Sequence, residues 1–192
     1  MDALFAFAAA LLTFRLAGLL AARYRSTRRP ELFAWSMGLA AYAVAAAAIA
    51  WGEAAGWDER AFRVYYAAGA LLTAPLLGAG SLLLAGRRRA APVVLVYAGL
   101  AVGIALAVPV HGTFAAHSIP AAQDHLDLVP ARLLAIVANI AGIAAAATGS
   151  GLAGLGAAGS AIGIAVGAVL LYAGFVAPAH IRSAFRPKIA SN

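Results

Sequence analysis

A permanent cation inside an apolar run is the first residue of this chain that invites chemistry. Arg15 lies in ALLTFRLAGLL, surrounded by apolar or small residues. A charge within hydrocarbon is costly unless it is paired, faces an enclosed polar site or reaches the interface. On a helix over 2–22, Arg15 lies about seven residues from the basic end, roughly 10 Å at 1.5 Å per residue. A snorkelling arginine covers that distance. The sharper reading turns the guanidinium inward, to hold an anionic ligand or a lipid headgroup, or to pack on backbone carbonyls. No Asp or Glu lies at matching depth in another apolar run. The groups available to meet Arg15 are neutral: Thr13, Ser36, Tyr42, Thr73, Ser81, Asn139 and Thr148.

Arg63 is the second cation of interest, in DERAFRVYYAAG. Asp58 or Glu59 can cap that helix start and complement its dipole. Arg63 is expected to pair with Glu53 or Glu59, and recognition of an external anion is the alternative. Tyr65 and Tyr66, with Trp51 and Trp57, fit an aromatic belt at a membrane interface. The ligand-binding candidates are therefore Arg15, Arg63, Tyr66 and Asn139.

The loop HGTFAAHSIPAAQDHLD offers His111, His117, Asp124, His125 and Asp127. Imidazole and carboxylate are zinc or copper ligands. The spacings match no standard metal pattern, so a solvated loop competes with a metal site, and histidines titrating near neutral pH offer a third use.

Other chemistry is excluded by what is missing. Haem needs axial ligands converging on one cavity, and no histidine lies in the middle of an apolar run. A retinal Schiff base needs a lysine within a helix, but the single lysine is Lys188. The absence of cysteine removes disulfides, thiolate metal sites and thiol nucleophiles. No paired carboxylates inside the apolar runs support proton-coupled transport, and no Ser–His–acid arrangement supports hydrolysis. No cofactor and no catalytic group is expected.

The elements that must position these residues are apolar helices. Of the 192 residues, 64% are hydrophobic and 11% charged, against roughly 45–50% and 25% in a soluble domain. Six stretches approach the ~20 apolar residues a spanning helix needs: 2–22, 32–52, 61–85, 91–110, 132–149 and 157–177. The expected fold is an all-α integral membrane bundle of six helices in one domain, because lipid leaves free backbone groups unsatisfied. The first stretch lacks a basic leader segment and reads as a retained helix.

Charge gives the orientation. Segments 23–31 and 86–90 carry Arg23, Arg25, Arg28, Arg29, Arg87, Arg88 and Arg89, and read as cytoplasmic. Segments 53–60 and 111–131 carry most of the acid and read as external. Six crossings then leave Arg182, Arg186 and Lys188 outside, against the positive-inside rule; five crossings with a re-entrant last segment, or seven, are the alternatives. The net charge of +7 lies in short loops rather than on a basic helix face, so a nucleic-acid partner is not expected. Membrane lipids are.

Gly159, Gly163 and Gly167 form a GxxxGxxxG ladder, and Gly99 and Gly103 repeat the spacing. Small residues so spaced let helix backbones meet closely, within one chain or in a homo-oligomer or membrane-protein complex. Pro75, near Gly78 and Gly80, predicts a kink in the third helix.

Two stretches, RYRSTRRPELFAWSMGLAAYAVAA and FRVYYAAGALLTAPLLGAGSLLL, resemble a group of small polytopic membrane proteins of bacteria. Arg28, Arg29, Pro30, Trp35, Tyr65, Tyr66 and Gly69 carry the likeness. More faintly, the pattern is similar to multi-span sensor regions of bacterial histidine kinases. The resemblance implies a multi-pass protein of the bacterial inner membrane and brings no activity with it. The functional expectation is a sensor-like module for a small ligand or lipid, signalling through a separate partner. A small transporter or channel and a structural subunit of a membrane complex are the alternatives.

Overall fold

The computed structural model describes residues 2–115 and 118–149. Among them the chain is helical, without strands: α1 (Asp2–Thr27), α2 (Pro30–Ala55), α3 (Glu59–Leu84), α4 (Ala90–Ala107), a single turn α5 (Ala122–His125) and α6 (Leu133–Gly149). α1 to α4 and the last stretch, counted from Leu128, are long and apolar enough to cross a membrane. The expected sixth span at 157–177 lies outside the described residues, and Gly159, Gly163 and Gly167 lie there with it.

Local chemistry sets the breaks. α1 ends at Thr27, where Arg28 takes a left-handed φ of 56° and donates its N–H to the Tyr24 carbonyl at 2.7 Å. Pro30 then opens α2, where its missing N–H costs nothing. Gly56 closes α2 with φ 94°, a conformation that favours glycine. Asp58 caps α3, its carboxylate accepting from Ala61 N at 2.7 Å.

α1 packs on α2, α2 on α3, and α3 on α6, while α4 leans on α3 from outside. Consecutive helices reverse direction, so the connections collect at two ends. The basic end holds 28–29 and 85–89 and the C-terminus of α6. The acidic end holds 56–58 and the described parts of the long connection, 108–115 and 118–127. Small residues make the contacts. Trp35 lies over Gly80, Leu77 lies against Gly38, and Gly142 of α6 meets the Ala74 and Gly78 backbone of α3. Ser36 donates to the Ala17 carbonyl at 2.9 Å and ties α2 to α1. Where lipid surrounds helices, such close packing and interhelical hydrogen bonds replace a hydrophobic drive.

A hydrophobic core runs from the acidic end to the middle of the bundle, around fully buried Phe62 and Leu71. Val108, Val110, Phe114, Ala122 and Leu126 of the long connection fold onto it. His111 N donates to His125 O at 2.9 Å, and the His125 ring stacks on Phe114 at 4.3 Å. The outer helices are barely covered: 6% of the apolar stretch of α4 is buried, against 44% for α2. Such surfaces suit lipid or a partner helix and not water.

Candidate functional site

The middle of the bundle is organised by what Pro75 lacks. Without an N–H it cannot bond the carbonyl four residues earlier, and its ring crowds that carbonyl. The helix answers by widening. Residues Tyr66–Thr73 form a π-helical stretch that runs into Pro75 near the start of the next α-helical segment. The sequence predicts a kink at Pro75; the structure shows a change of winding just before it. In an α register Pro75 would serve Leu71, and in a π register Ala70. Those two carbonyls are met by side chains of other helices. Tyr97 of α4 donates to Leu71 O at 2.6 Å, and Asn139 of α6 donates to Ala70 O at 2.5 Å. Thr73 Oγ1 donates back to Ala68 O at 2.8 Å. A π-bulge often marks a functional position. Here it also fastens three helices at one depth.

Asn139 gives its amide hydrogens to Ala70 O and to Ala135 O at 2.7 Å, so both donors are committed to backbone. Arg15 is exposed on α1; among the described residues it makes no hydrogen bond or ion pair. Tyr66 is buried and stacks on Phe62 at 5.9 Å. Arg63 pairs with Glu59 at 2.8 Å, as one of the two expected partners. It also does something its sequence neighbourhood does not announce: Nη1 donates to Ala105 O at 2.8 Å, on the last turn of α4. The guanidinium thus meets orphan carbonyls at a helix C-terminus, where cations are favoured. Gly99 and Gly103 are exposed, with nothing within 4 Å of an added Cβ among the described residues.

Arg63→Met keeps the packing stem and removes the donors, leaving the Ala105 carbonyl to water. Hydrogen bonds from charged donors are worth about 1.5–3 kcal/mol, and the partial exposure of Arg63 reduces that to about 1 kcal/mol here. Amides in the last turn of α4 should exchange about fivefold faster, while those of α2 keep their protection. Unchanged exchange at α4 would refute the clamp.

The long connection separates its titratable groups. His125 is buried, and its Nδ1 lies 2.8 Å from the His111 carbonyl. A carbonyl only accepts, so Nδ1 carries the hydrogen. The exposed His111 ring approaches Asp127 at 3.6 Å, and Asp124 is exposed. His117 lies outside the described residues. Among those described, no three His, Asp or Glu side chains converge as a metal site would require.

One void at the acidic end is small. The void between Phe62, Arg63, Tyr66, Ala105 and Leu126 measures about 10 Å³, the lower limit for one water. A larger opening lies at the basic end, about 570 Å³, between α3, α4 and α6. Leu82, Ala85, Ala90 and Val93 wall it, with Arg87, Arg89 and Thr148. In the sequence, Arg87 and Arg89 mark only the orientation of the chain. The signal that could have marked them is three consecutive arginines with no acid nearby. Glu31, the acid closest in sequence to the basic turns, is held by Arg29 at 2.6 Å. No family model, curated protein or solved structure matches the chain.

Proposed function

We propose that the chain is a multi-pass protein of the bacterial inner membrane that holds an anionic amphiphile at its cytoplasmic end, as a sensor-like binding module. The observation that carries this reading is the contrast between the two ends. The acidic-end void has room for about one water, and the donors at the centre, Asn139 and Tyr97, are spent on backbone carbonyls. The opening at the basic end has a volume of about 570 Å³, within the rough 300–1,000 Å³ range of ligand sites. A solute-conducting bundle needs polar groups free to face its path, and Ser36, Thr73, Ser81, Tyr97 and Asn139 each spend a donor on a backbone carbonyl. That favours binding over transport.

The reading is tested on the purified full chain. Anionic amphiphiles should raise its melting temperature by several degrees, because a ligand at 100 times its Kd stabilises by about 2.7 kcal/mol. The same protein in liposomes should pass ions and small solutes no faster than protein-free vesicles. Protein-dependent flux without ligand stabilisation would overturn the reading in favour of transport.

A further inference from the structure

We infer that the cleft between α3, α4 and α6 at the basic end binds the phosphate of an acidic phospholipid, with Arg87 and Arg89 as the phosphate-holding pair. This names the ligand class for the binding module proposed above, and rests on that reading.

Charge comes first. The connection between α3 and α4 carries Arg87, Arg88 and Arg89 in succession and no acid. The guanidinium groups of Arg87 and Arg89 make no hydrogen bond or ion pair among the described residues. Glu31 is already bound by Arg29 through Nε and Nη2, both at 2.6 Å. Two unneutralised forks on one cleft are suited to phosphate, which arginine binds in a planar, bidentate fashion. The first backbone N–H groups of α4 are already spent. Ala90 N donates to Arg87 O and Ala91 N to Arg88 O, and Pro92 has no N–H to give. Attraction therefore falls to the two side chains.

The walls decide between a lipid and a free phosphate ester. Beside the arginines the cleft is lined by Leu82, Ala85, Ala90 and Val93, and Val93 is exposed on α4. Apolar surface under a cationic rim matches a molecule with a phosphate at one end and hydrocarbon at the other. Basic pockets between helices on the cytoplasmic side are suited to lipid headgroups for this reason. Thr148 Oγ1 already donates to Ala145 O at 3.0 Å, so the hydroxyl adds shape rather than a donor.

The test uses the full chain in neutral detergent. Phosphatidylglycerol, phosphatidylcholine with the same acyl chains, and inorganic phosphate are compared by thermal shift and by native mass spectrometry. Phosphatidylglycerol should stabilise and remain bound, while phosphatidylcholine does neither. Inorganic phosphate at millimolar concentration should not displace the lipid; displacement would make the ligand a soluble phosphate and overturn the lipid assignment. Arg87→Gln with Arg89→Gln should weaken phosphatidylglycerol binding at least tenfold. Arg23→Gln with Arg25→Gln removes equal charge from the same end and should leave binding within about twofold. Equal losses in the two variants would reduce the effect to surface charge and overturn the site. If the first variant binds as tightly as the wild type, this ligand site fails while the binding-module reading stands. If nothing stabilises the chain and solutes cross the membrane, the module reading itself fails.

Discussion

Gly142→Ala should melt about 6–12 °C below the wild type in detergent. A Cβ at Gly142 would lie 2.5 Å from the Ala74 carbonyl carbon and oxygen and 2.8 Å from Pro75 N. Side chains can turn away from such a clash, but these are backbone atoms of the neighbouring helix. Gly78 sits opposite, and a Cβ there would meet the Gly142 backbone in turn. α3 and α6 would have to separate along their whole contact. Overpacking a core typically costs 1–3 kcal/mol, and rigid backbone on both sides puts this case at about 3 kcal/mol. At about 2–4 °C per kcal/mol for a chain of this size, the shift is large enough for a simple circular-dichroism melt. Gly99→Ala and Gly103→Ala are the comparison, since nothing lies within 4 Å of either position among the described residues. Alanine is also the better helix former by about 1 kcal/mol, so both should melt at or above the wild-type temperature. A Gly142→Ala protein that melts within about 1 °C of wild type would mean that α3 and α6 do not approach in this way.

The glycines show where sequence reasoning reaches and where it stops. Spacing of four marks Gly99 and Gly103 as a surface that permits close approach. It cannot say which helix arrives, and the described structure brings α6 to α3 through Gly78 and Gly142, which share no ladder. The helices themselves are legible because twenty apolar residues between charged turns leave the backbone few other choices. Asp58 as a cap and Glu59 as the partner of Arg63 are legible because they are local, three and four residues from the groups they bind. The Ala105 carbonyl, held by the same Arg63 from 42 residues away, follows only from how α4 docks. Asn139 is visible as a lone polar group in an apolar run. Its use by Ala70 depends on the register of a helix 69 residues earlier in the chain. Arg87 and Arg89 are visible as charge, but the cleft beneath them exists only when three helices meet. The question raised by Arg15 is narrowed by the same means: its side chain is exposed on the outer helix, the arrangement in which an arginine reaches along the helix to the interface.

Tyr97→Phe should cost about 1–2 kcal/mol in the wild type and much less once Pro75 is replaced by alanine. In the wild type, Tyr97 supplies a hydrogen to Leu71 O at 2.6 Å, and Leu71 is fully buried. Losing the hydroxyl leaves that carbonyl without the donor that compensates for the proline, and a buried unsatisfied carbonyl costs about 1–3 kcal/mol. Interhelical hydrogen bonds in membranes usually fall in the lower part of that range. Pro75→Ala restores an N–H four residues after Leu71 and five after Ala70. The stretch Tyr66–Thr73 can then rewind towards an α-helix, and the Leu71 carbonyl no longer depends on α4. The two substitutions should therefore be non-additive by about 1 kcal/mol, a coupling within reach of a double-mutant cycle in reversible detergent denaturation. Asn139→Leu in the same two backgrounds probes the other carbonyl. It should couple to Pro75 with the same sign, more weakly, because one of its two hydrogen bonds goes to Ala135 within its own helix. Additive costs at both positions would mean that Tyr97 and Asn139 bind those carbonyls for reasons unrelated to the missing N–H. Coupling at both would identify the proline as the cause of the two interhelical bonds, and α4 and α6 as elements docked on the break it makes in α3.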